Sequence, residues 1–262
     1  MQPSDRDWLK RLKTAEQKVF SQNGEDGILL RILANIGWSD RRYYVEFGTE
    51  SGNECNTRIL RDLLGWSGLL MDGSNDNPGI NLHKESITPE NINDLFAKYD
   101  VPEEFDVLSI DVDFDDYWIR KALDRKYRPR VVIMEVNGAL PLEDSRTIDP
   151  TDSQRWPAPG GKASTRRRRP CPATFYFGSS LRAIRDLNRL LGYTLVAVDA
   201  QAVNAFFIRD DILECQGAQP LPIEELYVHN PPAPNVPETN QTRQWLFLDE
   251  AGNVVKKEFR PV

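Results

Sequence analysis

Sulfur and imidazole are scarce in this chain: 262 residues contain three cysteines, Cys55, Cys171 and Cys215, and two histidines, His83 and His229. The cysteines form no CxxC pair, which excludes a dense disulfide framework and a sulfur-ligated zinc site and suits a reducing compartment. Two histidines exclude chemistry that needs a histidine cluster. No apolar run approaches the roughly 20 residues that span a bilayer. The opening Met1-Gln-Pro-Ser-Asp-Arg-Asp7 has no charged-then-apolar layout of a secretory leader, so a cytoplasmic location is expected. Surplus positive charge is missing too. Lys plus Arg total 33 against 40 Asp plus Glu, and a net charge of -7 argues against a general binder of nucleic acid or anionic membrane.

What the chain does have is length and a 40% hydrophobic content, enough for one large globular domain. Residues 1–40 read as an N-terminal helical segment: Trp8, Leu9, Leu12, Ala15 and Val19 recur at helical steps, as do Ile28, Leu29, Ile32, Leu33 and Ile36. Asn23 and Asp26 have the spacing of an N-cap with a first-turn carboxylate, and Gly37 ends the second helix. From residue 43 strands and helices alternate. Strands are predicted at 43–47, 68–72, 80–84, 105–110, 130–134, 194–198 and 205–208, with helices at 55–64, 89–99, 117–127 and 177–191. Thr88-Pro89 is read as a helix start.

That alternation implies a parallel sheet with helices on both faces. The last two strands are joined too briefly for a helical crossover, so they must be antiparallel. The fold class expected is α/β, a Rossmann-like three-layer sandwich whose mostly parallel sheet carries an antiparallel terminal hairpin. The sandwich occupies residues 41–230. Within it, 141–174 holds six prolines and the run Arg166-Arg-Arg-Arg169, and is read as a mobile basic loop. Residues 231–262 form a C-terminal extension with an edge hairpin.

Two constellations carry chemistry. The first is Glu46-Phe-Gly48-Thr-Glu-Ser-Gly52, at the end of a strand and before a helix, where glycine lets a ligand approach the backbone. Asp72 ends the next strand 24 residues beyond Gly48, near the roughly 20 expected for an acid that binds a ribose diol. A turn cap at Asp72 is the competing reading. The second constellation is acidic: Asp111, Asp113, Asp115 and Asp116 follow the fourth strand, and Glu135 and Asn137 end the fifth. Asp111, Glu135 and Asn137 could hold a hard divalent ion such as Mg2+, or the aspartates could simply start the helix at Tyr117.

Five segments in order, Ser21-Gln-Asn-Gly-Glu-Asp26, Val45-Glu-Phe-Gly-Thr-Glu-Ser-Gly52, Glu54-Cys-Asn-Thr57, Gly65-Trp-Ser-Gly-Leu69 and Ile110-Asp-Val-Asp113, resemble the FkbM-type class I methyltransferases across residues 21–210. The resemblance implies S-adenosyl-L-methionine binding. Glu46, Gly48, Thr49 and Gly52 would line its methionine portion, Asp72 its ribose, Ser86 and Ile87 its adenine, with Asp111 alongside. Asp111 and Asp113 would be the catalytic pair. Asp113-Phe114 stands where the family has Glu-Gly, and the arginine run has no family counterpart. Both differences fall where an acceptor would bind.

The activity expected is methylation of a hydroxyl, on a small molecule or glycan. The arginine run points to an anionic acceptor, and neither nucleic acid nor membrane is expected as a partner. Two other readings compete: a non-catalytic Rossmann-like module for cofactor binding or partner recognition, and metal-dependent phosphoester hydrolysis at the acidic cluster. His83 reads as a surface or satisfied histidine, and Phe175-Tyr-Phe177 as core or a helix staple.

Overall fold

Side chains alternate along the central strands between two separate cores. In β1 (Tyr43–Phe47), Val45 and Phe47 enter one core and Tyr44 the other. In β4 (Glu104–Ile110), Leu108 and Ile110 oppose Val107, and in β5 (Arg128–Glu135), Val132 and Met134 oppose Val131 and Ile133. A period of two with both faces apolar belongs to strands covered on both sides. The computed structural model describes residues 7–151, 176–230 and 242–261.

With β2 (Ser67–Asp72), β3 (Leu82–Lys84), β7 (Tyr193–Val198) and β8 (Asn204–Arg209), these strands make a seven-stranded sheet in the order β3-β2-β1-β4-β5-β8-β7. The first five run parallel, and β8 is antiparallel to both β5 and β7. One face is covered by a 3-10 helix (Trp8–Thr14) and by α1 (Glu25–Ile36), α2 (Arg58–Leu64) and α6 (Asp210–Gln216). The other is covered by α3 (Ile92–Lys98), α4 (Asp116–Ala122), α5 (Leu181–Leu190) and α7 (Ile223–Leu226). This is the Rossmann-like three-layer sandwich, with the antiparallel terminal hairpin formed by β7 and β8.

A second, three-stranded antiparallel sheet has the order β10-β9-β6, from β6 (Arg146–Ile148), β9 (Thr242–Leu248) and β10 (Val254–Pro261). The C-terminal hairpin therefore sits in a sheet of its own, not on the edge of the main one. Its small core, Leu140, Ile148, Tyr176 and Trp245, also receives Phe114. That contact gives a reason for a phenylalanine where the family resemblance leads one to expect glycine.

Several boundaries differ from the sequence reading, and buried carboxylates explain two of them. The first helix stops at Thr14 and is 3-10, because Asp26 Oδ2 accepts the N–H groups of Val19, Phe20 and Ser21 and holds that stretch as a loop. Asp26 thus does not serve an Asn23 cap; the N-cap is Gly24. Helix α2 starts at Arg58, since Glu46 takes the amides of Asn56 and Thr57 ahead of it. Thr88 donates its N–H to Asn91 Oδ1, so Thr88-Pro89 is a turn before α3. Residues 177–180 precede α5, whose N-cap is Ser180, and α4 is shorter than expected. Strand β6 lies inside the stretch read as a loop; the remainder of that stretch from 152, including Arg166–Arg169, Cys171 and Phe175, is outside the described residues. Helices α6 and α7 were not anticipated. Among the described residues no helix is long and apolar enough to cross a membrane.

Candidate functional site

Strand register gathers the candidate residues on one edge. Phe47 pairs with Met71 and with Ile110, and Ile110 pairs with Met134. The next residue of each strand is Gly48, Asp72, Asp111 and Glu135, so these four stand in one row at the carboxyl ends of β1, β2, β4 and β5. The strand order reverses between β1 and β4. Open α/β sheets bind ligands at such a switch point, in the crevice beyond the carboxyl ends.

Gly48 is fixed there by shape. Its φ is 70°, and a Cβ at this position would stand 1.5 Å from the carbonyl oxygen of Asp111. Only glycine allows the ends of β1 and β4 to approach so closely. Thr49 is buried, with a hydroxyl that has no hydrogen-bond partner among the described residues. Gly52 donates its N–H to Thr49 O at 2.8 Å and closes the turn.

Glu46 and Asp72 are buried and heavily bonded. Glu46 accepts from Asn56 N at 2.8 Å and from Thr57 N at 2.9 Å, and also from the Thr57 hydroxyl. Burial raises its pKa, and those bonds act against the rise. Asp72 Oδ2 accepts from Glu50 N at 2.9 Å, while Oδ1 accepts from Ser74 N, Asn75 N and Asn75 Nδ2. The turn-capping role of Asp72 is thus realised, and its Oδ2 makes a single bond. Ser86 and Ile87 follow β3, next to Glu85, whose N–H donates to Asp72 O at 2.9 Å. Ser86 is exposed and Ile87 is half-buried against the core.

The acidic group is different. One oxygen each of Asp111, Asp113 and Glu135 lie within 4.8 Å of one another. Glu135 Oε2 is buried with no hydrogen-bond partner among the described residues. Burial, then the charges of Asp116 and Asp113, push the Asp111 carboxyl well up; burial, then Asp111 and Asp116, do the same to Glu135. Asp113 has φ 68°, and Phe114 N bonds Val112 O at 2.9 Å, which makes Asp113 the centre of a γ-turn of the strained hand.

Asn137, the other residue expected to hold a metal, is engaged in local bonds. Its Nδ2 donates to Phe177 O at 3.0 Å and its Oδ1 accepts from Ala139 N at 3.2 Å, so it seats the 177–179 segment. The clustered oxygens come from Asp111, Asp113 and Glu135. Gly178 roofs the group: its N–H donates to Asp113 O at 3.1 Å, and a Cβ there would stand 3.9 Å from Glu135 Oε2.

Two contributors, Asn204 and Gly178, escaped the sequence reading, and Asp116, already read as one of the acids after the fourth strand, is tied into the site. Asp116, fully buried, accepts from Val112 N, and burial pushes its pKa up to about 7. Asn204, opposite Glu135 on β8, donates to Glu25 Oε1 at 2.9 Å and ties the Ser-Gln-Asn-Gly-Glu-Asp lead to the site edge. Gly178 gives no signal without knowledge of what it faces. His83 is satisfied, with Nε2 2.8 Å from Asn81 Oδ1 and its ring 4.3 Å from that of Tyr99.

No protein-family model matches the chain, and no curated protein does. Among solved structures it is similar to a SAM dependent methyltransferase from Aquifex aeolicus, at 10% identity over 78% of this chain and 98% of that one, with a TM-score of 0.32. The fold assignment rests on strand order and direction.

Proposed function

We propose that this is a cytoplasmic S-adenosyl-L-methionine-dependent methyltransferase that acts on a hydroxyl of a small molecule or glycan. The observation that supports it most is the pair Asp111 and Glu135 at the switch point, with Asp113 beside it. Carboxylates without hydrogen-bond donors favour a cationic ligand, and this cofactor carries a sulfonium and an ammonium. The motifs that resemble the FkbM-type enzymes lie on the same row.

The bound cofactor supplies an electrophilic methyl group. The protein's own work is alignment: the Gly48 turn and Thr49 seat the methionine portion, Asp72 Oδ2 has one bond made and capacity for a ribose hydroxyl, and Ser86 and Ile87 border the adenine. Asp113, exposed on its strained turn, takes the acceptor proton as the carbon–oxygen bond forms.

The same oxygens fit a hard divalent cation. The oxygens of Asp111, Asp113 and Glu135 lie within 4.8 Å of one another, and the unpartnered Glu135 Oε2 suits an ion more than a water-filled edge. Asp111, Asp113 and Glu135 would hold it, and its charge would lower the pKa of the acceptor hydroxyl. The arginine run, outside the described residues, would attract an anionic acceptor.

Calorimetry with S-adenosyl-L-methionine tests the cofactor. The wild type should bind, and Asp72→Ala should weaken binding about tenfold or more; a wild type that does not bind would sink the reading. Cofactor binding without methyl transfer to any member of a broad hydroxyl panel would favour the non-catalytic module. Methyl transfer that survives a chelator would remove the ion and leave Asp113 as base.

A further inference from the structure

The opposite edge of the main sheet carries a cavity of about 250 Å3, far from the row at the carboxyl ends. It lies where β5 begins at Arg128, β7 begins at Tyr193 and the antiparallel β8 ends at Arg209. Arg120 and Arg125 complete a wall of four guanidinium groups, with Asp210 and Asp211 as its acids.

The ion pairs of this wall are unevenly shared. Arg209 pairs with Asp211 at 2.7 Å and Glu104 at 3.2 Å, and Arg128 pairs with the same two acids at 3.8 and 3.4 Å. Asp210 is occupied by the Thr194 hydroxyl at 2.7 Å. Arg120 and Arg125 have no ion pair among the described residues. Arg125 is exposed, where water solvates it.

Arg120 is 3% exposed, and there an unpaired charge is costly. Its Nε donates to Asn188 Oδ1 at 3.1 Å, and its guanidinium stands 4.9 Å over the ring of Tyr193. Its Nη2 is buried with no partner among the described residues. A guanidinium keeps its proton in proteins, so it cannot escape the cost by becoming neutral. An anion in the cavity would supply a counter-charge.

We infer that this cavity is a binding site for a small phosphate or phosphomonoester, held by Arg120 and Arg125. Two guanidiniums without acids match the two negative charges of a phosphate dianion, and their planar forks suit its oxygens. The volume admits a compact phosphorylated molecule and is small for a nucleotide. Nothing in the proposed methyl transfer uses these residues, so the site stands or falls independently of it.

Thermal unfolding and calorimetry in sodium phosphate, against sodium chloride at equal ionic strength, test it. The wild type should show saturable single-site binding and a Tm that rises with phosphate beyond the chloride control. Arg125→Gln, at an exposed position that the fold does not need, should weaken phosphate binding about tenfold. Arg120→Met should keep or raise the Tm without phosphate and lose its dependence on phosphate. A wild-type shift no larger than that of chloride overturns the proposal, as does a shift that persists in the double variant. Glycerol phosphate should bind and succinate should bind more weakly; tighter binding of succinate than of phosphate overturns the phosphoryl assignment.

Discussion

Two groups of carboxylates stand near one edge of the sheet, and they are treated in opposite ways. Glu46 and Asp72 are surrounded by donors: three bonds to the first and four to the second, most of them from backbone amides. Asp111, Asp113 and Glu135 face one another, and Glu135 Oε2 has no donor among the described residues. Burial costs both groups, yet only the first recovers that cost from the protein itself. The first group shapes the turns that create the cleft. The second holds charge that a ligand can neutralise, which is the pattern expected where stability is given up for function.

The strongest way to break the comparison is at the point where both groups meet. Gly48→Ala would place a Cβ 1.5 Å from Asp111 O at a φ of 70°. The ends of β1 and β4 would have to separate, so Glu46 and Asp111 would be displaced together. Urea denaturation should show a loss of more than about 4 kcal/mol, or a chain that does not fold. A variant within about 1 kcal/mol of the wild type would mean that the close approach is not needed.

Glu46→Ala sharpens the first half of the comparison. It removes the acceptor for Asn56 N and Thr57 N and leaves both amides buried. A loss of about 3 kcal/mol in denaturant unfolding is expected, with α2 loosened at its start. The sequence pattern already marked Glu46, but as a ligand contact; its structural duty was hidden because a carboxylate's partners are backbone groups, which no residue type reveals. For the same reason the strands were legible from periodicity and the antiparallel last pair from its short link, whereas helix starts were not. The amides before α1 are taken by Glu25 and Asp26 and those before α2 by Glu46, acids outside the usual N-cap position. Asp111 and Glu135 were legible because strand ends in a parallel sheet converge. Gly178 was not, since its part depends on which loop folds over the edge. Phe114 packs against the core of a second sheet whose strand β9 lies more than a hundred residues away.

Asp199 is an intermediate case and gives the comparison a pH axis. It is fully buried and accepts from the amides of Gln201, Val203 and Asn204, yet burial pushes its pKa up to about 6. The unfolded value is about 3.9, so the folded state holds the proton more tightly between these limits. Its contribution to stability is therefore full below about pH 4 and is lost as pH rises through about 6. Asp199 should account for roughly 2 kcal/mol of the fall in unfolding free energy from pH 4 to 7, alongside the other buried carboxylates whose pKa values are raised. Asp199→Asn should flatten that part of the curve; an unchanged slope would assign it to other groups.

The smallest effect expected is also the one with the opposite sign. If Asp111 and Glu135 are held apart from donors for a ligand's sake, then neutralising one of them should help the ligand-free fold. Asp111→Asn keeps the shape, removes one of the mutually repelling charges that push both pKa values up, and introduces an amide that can donate to Glu135. A gain of about 1 kcal/mol in ligand-free stability is expected, together with a fall in methyl transfer of about a hundredfold. Gly48→Ala and Glu46→Ala lose function because they lose structure, so a more stable but inactive Asp111→Asn would separate the two groups. Should it instead lose stability, as Glu46→Ala is expected to, Asp111 would belong with the structural carboxylates, and the cationic-ligand argument would rest on Asp113 and Glu135 alone.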